Sequence, residues 1–526
     1  MSTTRGDATV DATGGSVSTT GEPSGGNAAI GVLAEVFGPG SGTALISLNG
    51  TSVTTAGANT PALLAYTSNI GSPTGGATIR LTNAVVRTTG ATAQGAVAST
   101  NPGTNPSPAS ISMAGGSVTT LTAGSPALLA NSQLGLSEVV VNGNGSISTA
   151  GATAHGIAAT SAGSTVDVQV LSGAVTTTGA GSHAVSLSAA MSSASVTNGG
   201  TLSAANGDGI NANAVSGGAT IISSGDIIAN ASGTAVVRGS AAADTFTAKA
   251  GKLQGITLMG DGADTVNLTG TVDVTAASQF DGGAGADTLN IDGVSIRGFT
   301  GTNALANGSN LTLWESIHVL NSGTLTLTGD LLESASGASL TVDATSTLNA
   351  KGSPTGIYAV NGNLSNSGMV VLADTSAAAD DVLTIANSYT GVAGSSVTLD
   401  TVLGDSSSAS DKLVVNGSTS GTGVLKITNA GGLGAATTGD GILVVKVVGS
   451  SGATFVLDGD TISAGAYKYS LHKVGNDWYL QSQLAPQSPS ANTSPVAVPT
   501  LGELALAILA AVLGLLGVRR TRLLKA

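Results

Sequence analysis

A short strand-and-turn unit repeats through the first half of the chain, and this repeat limits the fold more than any other feature. Each unit sets one central apolar residue among serine, threonine or alanine, usually next to a glycine. The central residues are Val17, Val53, Val86, Val118, Ile147, Val175, Leu202 and Ile227. Their spacing falls from 36 to 25 residues, which is the length of one coil of a solenoid.

A second apolar segment follows most of these units, at residues 62–65, 127–130, 155–158 and 183–186. Each coil therefore contains two or three strands of about 4 to 6 residues, joined by turns rich in glycine, asparagine and serine. No sustained 3.6-residue apolar period precedes residue 500, so little helix is expected. We predict an all-β, right-handed parallel β-helix, in which each strand pairs with the same strand of the next coil.

The repeat changes character along the chain, and this predicts five regions. Residues 1–244 are expected to form β-helix repeats, 245–300 Gly/Asp-rich coils, and 301–482 further coils with a C-terminal cap. Residues 483–497 read as a Pro/Ser-rich linker and 498–526 as a sorting signal. The cap is expected because terminal solenoid repeats must close the stack, and aromatic residues concentrate late in the third region. These aromatic residues are Phe455, Tyr467, Tyr469, Trp478 and Tyr479.

The composition excludes several classes of protein. Only 9% of the residues are charged while 41% are hydrophobic, and disordered chains show the opposite balance. The net charge of −13 would repel a phosphate backbone, so no nucleic-acid partner is expected. The absence of cysteine excludes disulfides and thiolate metal sites.

A calcium-type motif lies in the Gly/Asp-rich region. Residues 282–290 match the nonapeptide G-G-x-G-x-D-x-U-x, and residues 259–267 match it in part. The candidate ligands are Asp264, Asp287, Gly282, Gly283 and Gly285. Calcium takes about 6–8 oxygens, but here the aspartates occur once per coil without a tandem partner. The sequence favours an aspartate-capped glycine turn repeated at one corner of the β-helix. Calcium binding is the alternative interpretation, and no other cofactor is expected.

The chain offers few groups for catalysis. A carbohydrate-active lyase or hydrolase on the same scaffold is the alternative function, and it would need clustered carboxylates. The adjacent pair Asp380 and Asp381 is expected in a solvated loop. The histidines are scattered and lack metal-binding spacing, and no nucleophile elbow or phosphate-binding loop occurs. The four histidines are His155, His183, His318 and His472. We therefore predict no catalytic residues.

Residues 361–482 resemble the C-terminal part of a pertactin-like autotransporter passenger. Several motifs occur in the order of that family. They include Leu383-Thr384-Ile385, Leu399-Asp400-Thr401-Val402-Leu403-Gly404-Asp405, Asp411-Lys412-Leu413-Val414-Val415-Asn416-Gly417, Gly465-Ala466-Tyr467-Lys468-Tyr469 and Asp477-Trp478-Tyr479-Leu480. The resemblance implies a β-helix, secretion and surface display, with this segment templating the folding of the passenger. The family's translocating β-barrel should follow, but only 44 residues come after Ser482, so another export route is expected. The polar first 15 residues predict no secretory signal peptide within this sequence.

The C-terminal tail combines a short motif, an apolar run over 504–518 and a basic end. The motif residues are Val498, Pro499, Thr500, Leu501 and Glu503, and the basic residues are Arg519, Arg520 and Arg522. This layout resembles the IPTL-CTERM sorting signal, a substrate tag for exosortase-type membrane enzymes of Gram-negative bacteria. Val498 stands where isoleucine is usual, and Leu504 where tryptophan is usual. We predict a single C-terminal transmembrane helix with its basic end in the cytoplasm, and cleavage near the motif.

Repeat, resemblance and tail together predict a non-catalytic protein that is displayed on the surface of a Gram-negative bacterium or secreted. The expected roles are adhesion, biofilm formation or building of an extracellular matrix. The expected partners are an exosortase-type enzyme and an extracellular polysaccharide or host surface. The tail implies a transient inner-membrane anchor before processing.

Overall fold

The computed structural model describes residues 1–3, 6–21, 29–38, 42–69, 75–101, 106–300, 308–332, 337–352, 356–374, 379–486 and 502–522. Residues 1–483 and 484–526 form two separate units. The described part of the first unit is built from β-strands and turns, and the described part of the second unit contains one helix.

The first unit winds into successive coils with three strand positions per coil. Each strand pairs in parallel with the strand at the same position one coil away, so every position becomes one face of the stack. Backbone groups are satisfied between coils: the N–H of Ile157 donates to the carbonyl of Ala184 over 2.9 Å. The all-β, parallel β-helix prediction is confirmed, while the right-handed sense and the boundaries at 244 and 300 stay predictions.

The first face runs almost the whole length of the unit. Its strands are Ala8–Thr13, Ala44–Asn49, Ala77–Thr82, Ala109–Ala114, Ser137–Asn142, Val166–Val170, Ala194–Asn198, Ala219–Ser223, Thr245–Ala248, Thr265–Thr269, Thr288–Asp292, Ser316–Leu320, Ser339–Val342, Asn363–Asn366, Tyr389–Gly391 and the start of Thr419–Asn429.

The second face holds the units that repeat in the sequence. Its strands are Ser16–Thr19, Ser52–Thr55, Val85–Thr88, Ser117–Thr120, Ser146–Thr149, Ala174–Thr177, Thr201–Ala204, Asp226–Ala229, Ser295–Phe299, Thr324–Leu327, Thr347–Asn349, Met369–Val371, Ser396–Thr401, the remainder of Thr419–Asn429, and Thr454–Leu457.

The third face holds the second apolar segment of each coil. Its strands are Ser2–Thr3, Val32–Gly38, Leu63–Asn69, Ala96–Thr100, Leu128–Ser132, Ile157–Ser161, Val185–Ala189, Ile210–Val215, Ala235–Arg238 and Ser309–Thr312. Two longer strands, Lys252–Leu258 and Asp273–Asp281, pair with neighbours on both the second and the third face. A short pair, Asp261–Gly262 with Ala284–Gly285, lies between coils at the Gly/Asp-rich corner.

The eight central apolar residues of the sequence repeat form one continuous row on the second face. Val17 pairs with Val53, and the pairing continues coil by coil to Leu202 and Ile227. The register predicted from spacing is therefore confirmed. The row exists because a parallel solenoid places equivalent positions of neighbouring coils above one another.

Apolar and polar residues alternate along the strands, as expected when one side of each strand faces a core. In Val166–Val170 the three valines are buried, whereas Asp167 and Gln169 are partly exposed. Alanine, valine, leucine and isoleucine make up most of the interior. These small and β-branched side chains fill most of each coil, and a few aromatic ones, such as Phe246, Phe280 and Tyr389, are also fully buried.

A seven-stranded sheet lies near the C-terminal end of the stack, where four parallel strands from successive coils are followed by three antiparallel strands. Its strands are Ile357–Val360, Val382–Ile385, Lys412–Val415, Ile442–Val447, Asp477–Leu484, Tyr467–Val474 and Ile462–Ala464. The first four pair in parallel, but Asp477–Leu484 pairs antiparallel with Ile442–Val447. The antiparallel strands contain four of the five clustered aromatic residues and lie where the sequence predicts a cap.

The second unit contains the helix Glu503–Arg522. Leucine and alanine favour this conformation, and Glu503 in the first turn complements the positive end of the helix dipole. Among the described residues, no helix is both long enough and apolar enough to cross a membrane. The prediction of a single transmembrane helix is not confirmed.

Candidate functional site

An uncharged polar row crosses the third face. Ser99, Asn131, Thr160 and Ser188 occupy the same position in four successive coils, and together with Gln133 they line a cavity of about 330 Å³. Each residue of the row is the fourth of its strand, so aligning the apolar segments of the sequence would have revealed the row. Sequence reasoning missed it because it followed the inward-facing apolar residues of these segments and not the outward-facing polar ones.

The hydrogen bonds of the polar row leave donors and acceptors for a ligand. The Thr160 hydroxyl donates to Oδ1 of Asn131 over 2.8 Å, which sets the orientation of that amide. Beneath the row, the buried hydroxyls of Ser132 and Ser161 donate to backbone carbonyls and hold the turns in place. Only uncharged residues line the described cavity. This chemistry suits a neutral, hydroxyl-rich ligand.

Four acidic residues form a vertical series that we call the acid stack: Asp244, Asp264, Asp287 and Glu315. Each directly precedes a first-face strand, so the register of that face aligns them. Oδ1 of Asp264 accepts the backbone N–H of Asp244 over 2.7 Å, and Oδ1 of Asp287 accepts that of Asp264 over 2.7 Å. Oε2 of Glu315 accepts the N–H of Asp287 over 2.8 Å. Every carboxylate thus joins its own coil to the coil before.

The middle of the acid stack is buried. Asp264 is 1% exposed and Asp287 is 0% exposed, and Oδ2 of each has no hydrogen-bond partner among the described atoms. Burial, together with the charges of neighbouring aspartates, raises the pKa of Asp264 to about 7 against the lowering effect of its hydrogen bond with Asp244. Burial likewise raises the pKa of Asp287 to about 6, with the charges of Glu315 and Asp281 acting in the same direction.

The glycines of the calcium-type motif let the backbones of neighbouring coils approach closely beside the acid stack. Gly282 donates its N–H to the carbonyl of Thr312 over 3.0 Å, and Gly283 and Gly285 adopt positive φ of 94° and 156°. The geometry is that of an aspartate-capped glycine turn repeated once per coil. Within the described ranges no group of three or more histidines or carboxylates is placed to hold a metal ion. Calcium stays a prediction.

A cavity of about 650 Å³ opens beside the stack and is lined by Asp261, Asp281, Glu315 and Arg238. It is the carboxylate-rich groove in which the alternative enzyme function would have to reside. Oδ2 of Asp281 accepts hydrogen bonds from Gln279 and Thr312. The Arg238 guanidinium is held by both oxygens of Asp208. Most of these charged groups are therefore already engaged in holding the coils together.

Two of the four histidines that the sequence scatters come together. The rings of His155 and His183 stack with centroids 4.9 Å apart. Nδ1 of His155 accepts the N–H of His183, and Nδ1 of His183 accepts the N–H of Asp208. Burial lowers the pKa of His155 to about 4 and also lowers that of His183. The sequence could have indicated this pair, because each histidine lies two residues before an inward-facing apolar residue of a third-face strand.

The prediction that Asp381 lies in a solvated loop is wrong. Asp380 is exposed, but Asp381 is buried and its carboxylate accepts the N–H groups of Gly352 and Gly356. The N–H of Asp381 in turn donates to Asp411 over 3.0 Å. Asp381 directly precedes the strand Val382–Ile385, so it has the same capping position as the members of the acid stack. Adjacent charges in the sequence did not reveal that one of them points inward.

The tail motif at Val498, Pro499, Thr500 and Leu501 lies outside the described residues, as do the side chains of Arg519, Arg520 and Arg522. Glu503 is the first residue of the helix and is exposed.

Two segments of the chain match known families. Residues 359–471 match the Autochaperone Domain Type 1, and residues 496–522 match the IPTL-CTERM motif. Over these two segments the chain is similar to autochaperone domains and to IPTL-CTERM tails, so the predicted resemblance is confirmed.

Two relatives and one solved structure are similar to parts of the chain. The chain is 32% identical over 243 residues to "Probable autotransporter YfaL" of Escherichia coli (strain K12), covering 44% of this chain and 19% of that protein. It is 32% identical over 263 residues to "Adhesin BmaC autotransporter" of Brucella suis biovar 1 (strain 1330), covering 46% of this chain and 7% of that protein. The chain thus spans less than a fifth of the length of either relative. The crystal structure of the Haemophilus influenzae Hap adhesin aligns with a TM-score of 0.35 at 12% identity, over 87% of this chain and 65% of that one.

Proposed function

We propose that the chain is a non-catalytic, adhesin-type passenger displayed on the surface of a Gram-negative bacterium. The observation that carries the proposal is a parallel stack that leads directly into an autochaperone domain and presents an uncharged polar row on one face. The relatives, named as an autotransporter and an adhesin, support this function.

The geometry suits repeated weak contacts with an extended partner. Strands of neighbouring coils lie about 4.8 Å apart, so the polar row offers one hydroxyl or amide group per coil at that interval. A long neutral polysaccharide can engage several of these groups at once, and linked contacts bind more tightly than single ones. We therefore propose an extracellular polysaccharide as the partner of the polar row.

Removing the polar row is expected to weaken polysaccharide binding by the full chain about tenfold, equivalent to about 1.4 kcal/mol. The test variant combines Asn131→Ala and Thr160→Val, which removes the amide and the hydroxyl that orients it. Binding of the immobilised chain to a panel of neutral polysaccharides would be measured by surface plasmon resonance. The matched control is Thr176→Ala, an exposed threonine on the second face.

Two results would contradict this function. Equal binding by the double variant and the control would remove the row as the binding site. Shortening of the polysaccharide by the wild-type chain would replace adhesion with the carbohydrate-active enzyme. Such activity would point to the cavity beside the acid stack, where the carboxylates lie.

We further propose that the tail is recognised by an exosortase-type membrane enzyme and cut near Pro499, after a transient stay at the inner membrane. In the native host, the wild-type chain is expected outside the cell with a mass that ends near Pro499. The double variant Pro499→Ala with Thr500→Ala is expected at full length in the membrane fraction, because the recognised motif is lost. Intact-mass spectrometry of each cell fraction measures both.

The control for the tail is Pro489→Ala, a proline of the same linker that lies outside the matched motif. It should be processed like the wild type. Wild-type chain found uncut in the cytosol would contradict both the processing and the surface location.

A further inference from the structure

Three residues at one corner of the solenoid join neighbouring coils through their side chains. Nδ1 of His155 accepts the backbone N–H of His183 over 3.1 Å, and Nδ1 of His183 accepts that of Asp208 over 2.9 Å. Oδ1 of Asp208 continues the series by accepting the N–H of Ala235 over 2.7 Å. We call His155, His183 and Asp208 the corner series. Each of its side chains holds an N–H group of the coil that follows.

The two imidazoles of the corner series can accept these hydrogen bonds only while they are neutral. An imidazole that accepts at Nδ1 carries its one proton on Nε2, whereas an imidazolium is a donor at both nitrogens. Protonation would therefore make Nδ1 of His155 a donor that faces the N–H of His183. The N–H would lose its acceptor, and two donors would be forced together between the coils.

The charges around the two rings decide which of them is more sensitive to a proton. Oδ2 of Asp208 lies 3.3 Å from Nδ1 of His183, so a proton on His183 finds a carboxylate, although Arg238 already shares it. The titratable neighbour of His155 is His183, whose charge would repel it across stacked rings 4.9 Å apart. The second- and third-face strands of these coils contain no titratable side chain. His155 is therefore the ring that resists protonation most.

The corner series adjoins the polar row of the third face. His155 and His183 each stand two residues before the strand that carries Thr160 or Ser188 of that row. The row has its regular spacing only where these strands are paired. A partner that needs the paired row binds less tightly in proportion to the fraction of molecules in which the strands have opened.

We propose that the corner series is an acid-sensitive latch of the third face: neutral imidazoles keep the strands Ile157–Ser161 and Val185–Ala189 paired, and protonation of His155 lets them open. A surface protein built this way presents the polar row in neutral surroundings and loosens it in acidic ones. The latch does not depend on which partner the row binds, because the opening of the strands can be measured without a ligand.

The direction of the effect follows from the lowered pKa of His155. Burial and the nearby His183 bring this pKa from an ordinary value of 6.5 to about 4. A histidine whose folded pKa lies below its unfolded value stabilises the fold fully above the unfolded value, and the stabilisation is lost as the pH falls through the folded value. Burial also lowers the pKa of His183 against the raising effect of Asp208, so both rings act in the same direction. The strands are expected to open progressively as the pH falls from about 6.5 to about 4.

Other groups of the chain titrate in the opposite direction, so the measurement must be local. Burial raises the pKa of Asp381 and of Asp411, and these carboxyls favour the fold on acidification. Global unfolding would mix both effects, whereas hydrogen exchange reports the opening of individual strands.

The experiment is hydrogen exchange with mass spectrometry on the full chain at pH 7.5 and pH 5, corrected for intrinsic exchange. In the wild type, opening of Ile157–Ser161 and Val185–Ala189 is expected to be about tenfold greater at pH 5, since one pKa unit corresponds to a factor of ten. His155→Asn supplies an amide oxygen to accept the N–H of His183 but cannot titrate. Its opening is expected to differ less than about threefold between the two pH values, because only His183 remains to be protonated.

The matched control is His318→Asn, the same substitution at a partly buried histidine of the first face, which should keep the wild-type response of the third-face strands. Wild-type strands that open equally at both pH values would overturn the proposal. A His155→Asn variant that keeps the tenfold change would overturn it as well.

A second measurement covers the case in which His155→Asn does not fold. Exchange of the carbon-bound Cε1 hydrogen of His155 in the wild type, followed by mass spectrometry, gives the titration of this ring alone. A midpoint more than about one unit below the ordinary value supports the latch. A midpoint closer to the ordinary value would show that the coils do not resist protonation of His155, and the proposal would fail.

Discussion

Gly285→Ala is expected to destabilise the Gly/Asp-rich coils by more than about 3 kcal/mol. Gly285 has a φ of 156°, and a Cβ at this position would overlap the carbonyl oxygen of Gly262. The two residues belong to directly paired strands, Asp261–Gly262 and Ala284–Gly285, so the obstacle is backbone and not a side chain that can turn away. The pair must separate, and the capping hydrogen bonds of the acid stack are strained with it. Urea denaturation and hydrogen exchange of Thr288–Asp292 measure the loss.

The control for this substitution is Gly233→Ala. Gly233 has a positive φ of 78°, but nothing lies within 4 Å of the added Cβ. Only the left-handed backbone penalty applies there, at about 1–2 kcal/mol. Equal losses at the two positions would show that backbone conformation, and not the close approach of the coils, makes Gly285 necessary.

Phe455→Ala is expected to destabilise the C-terminal end of the solenoid by about 3–5 kcal/mol. Phe455 is 3% exposed and lies between Tyr389, with ring centroids 5.9 Å apart, and Trp478, at 5.5 Å in an edge-to-face contact. Its removal leaves a cavity and breaks both aromatic contacts. The strand Thr454–Leu457 is the last of the second face, while Trp478 belongs to the antiparallel cap. The substitution therefore separates the cap from the coils that it covers.

Fluorescence of Trp478 during urea denaturation follows this loss, and a matched Trp314→Phe background removes the signal of the other tryptophan. The control is Val456→Ala, one residue along the same strand and 50% exposed, which should change the free energy of unfolding by less than about 1 kcal/mol. A similar loss for both variants would argue against the aromatic cluster as the link between coil and cap.

The regular part of the fold could be predicted because a solenoid repeats the same strand-and-turn pattern in every coil. The spacing of Val17, Val53 and the later members of that row gave the coil length and the parallel register. The aromatic residues near the end indicated where the antiparallel strands follow the last coils. The tail motif was recognisable from its residues, and it matched a known family.

The chemistry between coils was harder to predict, as His155, His183 and Asp381 illustrate. The two histidines are 28 residues apart, so their stacking depends on a coil length that varies along the chain. Asp381 looks like one of two solvated charges, yet its position just before a strand directs it to the turn of the previous coil. The local sequence shows which residues are polar. Whether a polar residue is buried depends on the turns of the coils above and below it.

The sequence by itself determined which residues point inward and that successive coils pair in parallel, because alternation along a strand and spacing between strands are local properties. Only the tertiary structure decided which polar residues became neighbours. The uncharged row at Ser99 and Asn131 and the buried pair Asp264 and Asp287 arise from coils of unequal length brought into register. Their chemistry follows from the removal of water and from the charges stacked above and below them, and both depend on the assembled coils.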